Sequence, residues 1–231
     1  VATGQVTQLS VPNATATLFG IYPLTPTEVH VVGTAPGAAG TIGVYWKIEG
    51  DAVVDASAEL PAEGSGISFF KFWGDAPDNY WTVGLGGYVH RSSAGWTGEV
   101  LAEDQRMLTI HGNGGLVTAV GGGFSGKIFE AAGDLLVEAT PSPEPPGLNG
   151  VWVTDATHAT AVGAGGVVLR RTEQGWKRDV EAPAITGDYH SVFVDPDGGV
   201  WAVGGFVLSP PLRAGVMSYL GHQNVPPLLE P

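Results

Sequence analysis

Apolar positions along this chain alternate with polar or small ones in short runs, and one such run recurs five times. It reads Val29-His30-Val31-Val32-Gly33, Tyr80-Trp81-Thr82-Val83-Gly84, Val117-Thr118-Ala119-Val120-Gly121, Ala159-Thr160-Ala161-Val162-Gly163 and Val200-Trp201-Ala202-Val203-Gly204. The closing glycines lie 51, 37, 42 and 41 residues apart. A period near 40 residues, carried by short strands without helical spacing, predicts a propeller or related array of β-blades. The fold class expected is therefore all-β, a β-propeller of five four-stranded blades in a single domain over 1–231. The blades fall at about 13–60, 61–102, 103–143, 144–184 and 185–231.

Each repeat supplies four strand-like parts, A to D. The A strands centre on Phe19-Gly20-Ile21, Phe70-Lys71-Phe72, Leu108-Thr109-Ile110, Gly150-Val151-Trp152 and Ser191-Val192-Phe193, and run into polar turns such as Asp195-Pro196-Asp197-Gly198-Gly199. Glycine and Asn or Asp supply the positive-φ positions that hairpins need. The recurrent phrase is strand B. The C strands follow, with Tyr45, Val89, Ile128, Val168 and Met217 as an apolar column expected to face between blades. A glycine turn then leads into strand D. Gln5–Pro12 reads like a sixth D segment and is expected to close the last blade as an N-terminal strand, since a propeller leaves no open sheet edge. The competing reading is that 1–12 ends a further blade and the chain is a piece of a larger ring.

Composition adds bounds. With 43% hydrophobic residues, seven Trp and eight Phe, the 36 glycines and 17 prolines mark turns rather than disorder. The net charge of −13, from 23 acidic and 10 basic residues, opposes a nucleic-acid surface and adhesion to anionic lipid. No cysteine is present, so disulfides and thiolate metal sites are excluded. No 18-residue apolar run exists, so membrane insertion is not expected. Low charge, abundant Thr, Ser and Gly and a pI near 4.6 lean towards a secreted, periplasmic or cell-surface protein.

The order of aromatic strand, polar turn, Trp-Ala-Val-Gly, short loop, Gly-x-x-x-Arg, turn and Gly-Trp resembles the BNR/Asp-box and photosystem II assembly factor (Ycf48-like) propellers. The best copies are 149–180 and 67–100, and the likeness runs loosely over 18–225. The Asp-box, Ser-x-Asp-x-Gly-x-Thr-Trp, is degenerate here: Arg91-Ser92-Ser93-Ala94-Gly95-Trp96 and Arg171-Thr172-Glu173-Gln174-Gly175-Trp176 lack its Asp. The resemblance implies a propeller and structural Gly-Trp turns, without an activity. Nothing marks the arginine triad, Tyr nucleophile and acid of sialidase chemistry.

Candidate chemistry gathers at one end of the blades. Blades one and five carry enlarged B–C insertions, Thr34–Ile42 and Gly205–Ala214, expected to form one lip bearing Arg213. The residues expected to open the A strands are Leu18, Phe69, Met107, Asn149 and His190, of which only the last two are strongly polar. Asp188 and Tyr189 precede His190. The predicted ligand site is thus Asn149, Asp188, Tyr189, His190 and Arg213, suited to a sugar or other polar ligand, or to a general base at His190. A hydrogen-bonded structural histidine is the plainer reading of His190. The six histidines show no metal-ligand spacing, the Asp195–Gly199 turn lacks the later carboxylates of a calcium loop, and Gly121–Lys127 has no following helix to bind phosphate. No catalytic residue and no cofactor is expected. The function read from the sequence is a non-enzymatic binding module for a carbohydrate, peptide or protein. The alternatives are a channel-mouth enzyme of glycoside hydrolase or lyase type, or an assembly or scaffold factor. Circular dichroism should show almost pure β signal, and an appreciable helical component would contradict the blade assignment.

Overall fold

A computed structural model describes residue 4 and residues 6–38, 40–206 and 213–221, the last range without the side chain of Arg213. Two compact units divide between Glu103 and Asp104. Apart from short 3-10 turns, their regular structure is strand. The first unit holds two sheets, β1 (Thr17–Thr25), β2 (Glu28–Gly37), β3 (Gly40–Glu49) and β4 (Ala52–Asp55), then β5 (Ser68–Ala76), β6 (Asn79–Leu85), β7 (Gly87–Ser92) and β8 (Gly95–Val100). The second unit holds three. They are β9 (Met107–Asn113), β10 (Leu116–Gly122), β11 (Gly126–Ala132) and β12 (Leu135–Glu138); β13 (Leu148–Val153), β14 (Ala159–Gly163), β15 (Val168–Thr172) and β16 (Gly175–Arg178); and β17 (Asp188–Val194), β18 (Val200–Phe206) and β19 (Arg213–Leu220). Every sheet is an antiparallel meander in sequence order, so the five predicted blades are present. The insertion expected at 34–42 is an extension of the β2–β3 hairpin, paired as far as Gly37 and Gly40.

One local geometry repeats in all five blades. Where the first strand meets the glycine of the recurrent phrase, the register slips by one residue: Leu18 pairs with Gly33 but Gly20 with Val32, and Phe69 with Gly84 but Lys71 with Val83. The same bulge lies between Met107 and Thr109, Leu148 and Gly150, and Tyr189 and Ser191. At the bulge the carbonyl before the first strand's pairing residue turns onto the glycine. A methyl group on Gly33, Gly84, Gly121, Gly163 or Gly204 would strike the carbonyl oxygen of Thr17, Ser68, Arg106, Gly147 or Asp188. Glycine ends each phrase because no other residue leaves space for that carbonyl.

The bulges also correct the predicted alignment. The column equivalent to Leu18, Phe69 and Met107 continues with Leu148 and Tyr189, not Asn149 and His190, which are the extra, bulged residues of their strands. By register the C-strand column of Tyr45, Ile128, Val168 and Met217 passes through Tyr88 in blade two, while Val89 faces between blades on the opposite side of its sheet, towards blade one. The N-terminal segment departs further. Val6–Pro12 belongs to no strand, and the fifth sheet has three strands among the described residues. Leu9 and Val11 instead lie in a groove with Trp46 and Val53 of blade one. Alternation specifies a face, not a hydrogen-bonding partner, and this segment uses its apolar face without pairing.

Blades within each unit are tied by aromatic and polar contacts. In the first unit, fully buried His30 stacks on Phe72 at 4.6 Å and shares hydrogen bonds with the Tyr45 hydroxyl (2.8 Å) and Glu28 (3.0 Å). Burial among these rings pushes the His30 imidazole below its ordinary range. In the second unit, Glu130 of β11 accepts a fork from Arg171 of β15 at 2.7 and 2.9 Å and a third bond from the Trp176 indole at 2.7 Å. His111 of β9 stacks on Trp152 at 4.2 Å and accepts the Val153 backbone N–H through Nδ1 at 3.0 Å. Burial lowers the His111 pKa to about 4.

Two outcomes follow. Glu130→Gln removes the negative charge that the Arg171 fork engages and should destabilise the protein by about 2 kcal/mol, read by urea unfolding. The unfolded chain binds a proton at His111 from the ordinary value near 6.5, whereas the folded chain does so only near 4. The stability supplied by the neutral ring is therefore intact above about pH 6.5 and falls by roughly 3 kcal/mol as pH drops through that window. His111→Gln should flatten the difference between unfolding curves at about pH 7 and about pH 4.5, and an unchanged difference contradicts this assignment.

Candidate functional site

Within the second unit the first strands β9, β13 and β17 lie side by side and run the same way. At their exit ends Asn113 donates to the Thr154 carbonyl at 2.7 Å, and Trp152 meets Phe193 edge-on at 4.8 Å. At their entry ends Asn149 donates through Nδ2 to the Tyr189 carbonyl at 2.8 Å. The bulged residues Leu108, Asn149 and His190 therefore share one end of this unit. The loops after β10 and β14 belong to the same end, because each follows a recurrent phrase that pairs with these strand starts.

Of the residues singled out from sequence, the structure brings Asn149, Asp188 and His190 together on this rim. Asn149 is half-buried and its amide is engaged by the Tyr189 carbonyl. The Asp188 carboxylate accepts the Gly165 backbone N–H at 2.9 Å, which fixes the β14–β15 loop to the start of β17. His190 Nε2 has no hydrogen-bond partner among the described residues and is withdrawn from the surface. Tyr189 does not belong to the rim. It is fully buried in the core of blades four and five, and its hydroxyl donates to Ser218 at 2.7 Å. The bulge is the reason: it turns His190 out of alternation and leaves Tyr189 in the inward column. The side chain of Arg213 and residues 207–212 of the second predicted insertion lie outside the described residues.

Two residues not chosen from sequence sit beside this set. Phe124, in the loop between β10 and β11, is fully exposed, at 105% of its reference area. Its loop is nonetheless held fast. Arg106 donates through Nε to the Gly122 carbonyl at 2.9 Å, the Gly126 N–H donates to the Pro145 carbonyl at 2.7 Å, and Ser125 bridges to Pro146. Gly122 adopts φ 86°, which suits the turn that lifts Phe124 outward. The signal available in sequence was an aromatic residue at 124 flanked by Gly122-Gly123 and Ser125-Gly126, with no periodic partner.

The opposite, exit end is chemically occupied. Asp155 accepts from the Thr157 and His158 backbones, and the resulting bonds hold its carboxyl well below the usual carboxylate range. Asp195 accepts from Asp197, Gly199 and the Trp201 indole, so the Asp195–Gly199 segment uses its carboxylate to build the turn. Among the described residues no group of three or more His, Asp or Glu is placed to hold a metal ion, and no helix is long and apolar enough to cross a membrane.

No protein-family model and no curated protein matches the chain. Solved structures do resemble it. Ycf48 bound to a D1 peptide superposes with a TM-score of 0.58 at 15% identity, over 84% of this chain and 62% of that one. Sqt1 from Chaetomium thermophilum gives 0.61 at 17% identity, over 92% of this chain and 64% of that one. A putative oxidoreductase (glucose dehydrogenase) from Thermus thermophilus gives 0.51 at 17% identity, over 93% and 86%. These likenesses show a β-propeller fold of the Ycf48-like kind, as the repeat implied. The chain spans less than two thirds of the length of the first two. Asn149→Ala should remove the tie between β13 and β17 and lower stability by about 1 kcal/mol without changing the circular dichroism spectrum. A neutral effect in urea unfolding would mean that the amide does not hold the rim.

Proposed function

We propose that the protein is a non-enzymatic binding module that takes an extended peptide or protein segment on the rim of its second unit, around Phe124, Arg106, Asn149 and His190. The observation that carries this reading is Phe124. A fully exposed phenylalanine leaves apolar area in water, and a loop stapled at Gly122, Ser125 and Gly126 has no freedom left to bury it. Such a pre-organised aromatic serves as an anchor because little ordering entropy is lost when a partner covers it. Arg106 beside it offers a cation for a peptide carboxylate or carbonyl. Peptide binding by the similar Ycf48 structure supports the same class of partner. The polar rim residues are spent on backbone hydrogen bonds that shape the surface, which favours binding over proton transfer.

Selection of a random peptide library on the intact chain, with an oligosaccharide panel in parallel, tests the reading. Peptides should be retained and sugars should not. Phe124→Ala should weaken the selected peptide by about tenfold or more while leaving the melting temperature unchanged, and Arg106→Ala should weaken it as well while also loosening the loop that presents Phe124. Retention of a sugar alone, or peptide affinity indifferent to Phe124, contradicts it.

A further inference from the structure

The contact between blades one and two, within the first unit, matches in strand register the contact between blades three and four, within the second, but with one reversal of charge. In the second unit Glu130 accepts the Arg171 fork and the Trp176 indole N–H of the next blade. Register carries Arg171 and Trp176 onto Arg91 and Trp96 of blade two, and carries Glu130 onto Lys47 of blade one. The donors are kept, and the acceptor is replaced by a second cation. Among the described residues no hydrogen bond or ion pair engages the Arg91 guanidinium, which lies over the Trp96 ring at 5.9 Å. Lys47 bonds Glu59 at 2.7 Å, but Glu59 is 51% exposed and such a surface pair holds its lysine only weakly. Burial pushes the Tyr80 phenol up, while its hydrogen bond with Tyr45 and the charges of Lys47 and Arg91 pull it down, so both cations reach this one hydroxyl. Tyr80 lies against Trp96 at 5.5 Å, which places the two charges beside the same indole.

We propose that the seam between blades one and two is a carboxylate-binding site, in which an anion supplied by a ligand takes the place that the Glu130 side chain fills in the second unit. Arg91 is its principal donor. The planar guanidinium offers paired N–H groups spaced to match the two oxygens of a carboxylate, as Arg171 does for Glu130. Lys47 supplies the second charge, and its compact ammonium exchanges the exposed Glu59 for a ligand oxygen without rearrangement of the sheet. Two cations facing one seam repel each other when no anion lies between them, so binding removes an unfavourable interaction as well as adding a favourable one. The site uses neither Phe124 nor Arg106 and stands apart from the peptide-binding reading of the second unit.

Isothermal titration calorimetry of the full chain at fixed ionic strength tests this, with sodium succinate and with an amidated peptide bearing internal glutamates as probes. At least one should bind saturably. Succinate alone identifies a free organic acid as the ligand class, and the peptide alone identifies an acidic side chain of a partner. Arg91→Gln should weaken binding about tenfold, and Arg91→Lys, which keeps the charge without the fork, should weaken it too. Lys47→Glu sets a carboxylate opposite Arg91 and should abolish binding. In that background Arg91→Gln should lower the melting temperature more than it does in the parent, because Arg91 has then gained a partner. Absence of saturable heat from both probes overturns the proposal. So does an affinity indifferent to Arg91→Gln, or an equal thermal cost of that change in the two backgrounds.

Discussion

The close approach of a strand carbonyl to a glycine, five times over, is the constraint from which the rest of this structure follows. Each first strand carries one extra residue, and the bulge that absorbs it presses a carbonyl onto the closing glycine of the phrase beside it. A bulge bends and twists its strand locally. It also turns one side chain per blade out of alternation, and that side chain is what the blade offers at its entry end. Phe19 and Phe70 meet edge-on at 4.8 Å in the first unit, whereas Asn149 and His190 give the second unit its polar rim.

Around that fixed backbone the ties between blades vary in chemistry. The first unit is pinned by a stack of His30, Tyr45, Phe72 and Tyr80, with the Tyr45 hydroxyl donating to Tyr80 at 3.3 Å. Burial raises both phenols, so these rings stay neutral and the contact is insensitive to alkali over the ordinary range. The second unit relies on the charged fork between Glu130 and Arg171. Both partners are largely shielded from solvent, at 20% and 18% exposure, so the pair is screened less by salt than a surface ion pair.

Much of the fold was legible in the sequence because its determinant is local: a glycine at the end of an apolar phrase, repeated near every 40 residues. The bulge was not legible, because one extra residue leaves composition unchanged and shifts alternation by one. That shift is why Asn149 and His190 align in sequence with the residues that open the A strands and why Tyr189, a core residue, falls with the predicted ligand site. The role of Asp188 as a clamp on Gly165 depends on a contact 23 residues away in sequence. Phe124 stayed hidden for a similar reason, as its exposure is enforced by Arg106, Pro145 and Pro146, none of which its own neighbourhood announces. Gln5–Pro12 has the alternation of a strand, yet Leu9 and Val11 line the blade-one groove without a ladder and Val6 stays exposed.

Alanine substitution at matched glycines measures the central constraint most directly. Gly84 and Gly204 face carbonyl oxygens, whereas Gly66 and Gly215 have no atom within 4 Å of an added methyl group and no positive φ. Urea unfolding should show Gly84→Ala and Gly204→Ala losing about 3 kcal/mol or more, with Gly66→Ala and Gly215→Ala within about 0.5 kcal/mol of the parent. Equal tolerance at all four positions would show that the bulge carbonyl does not dictate the repeat.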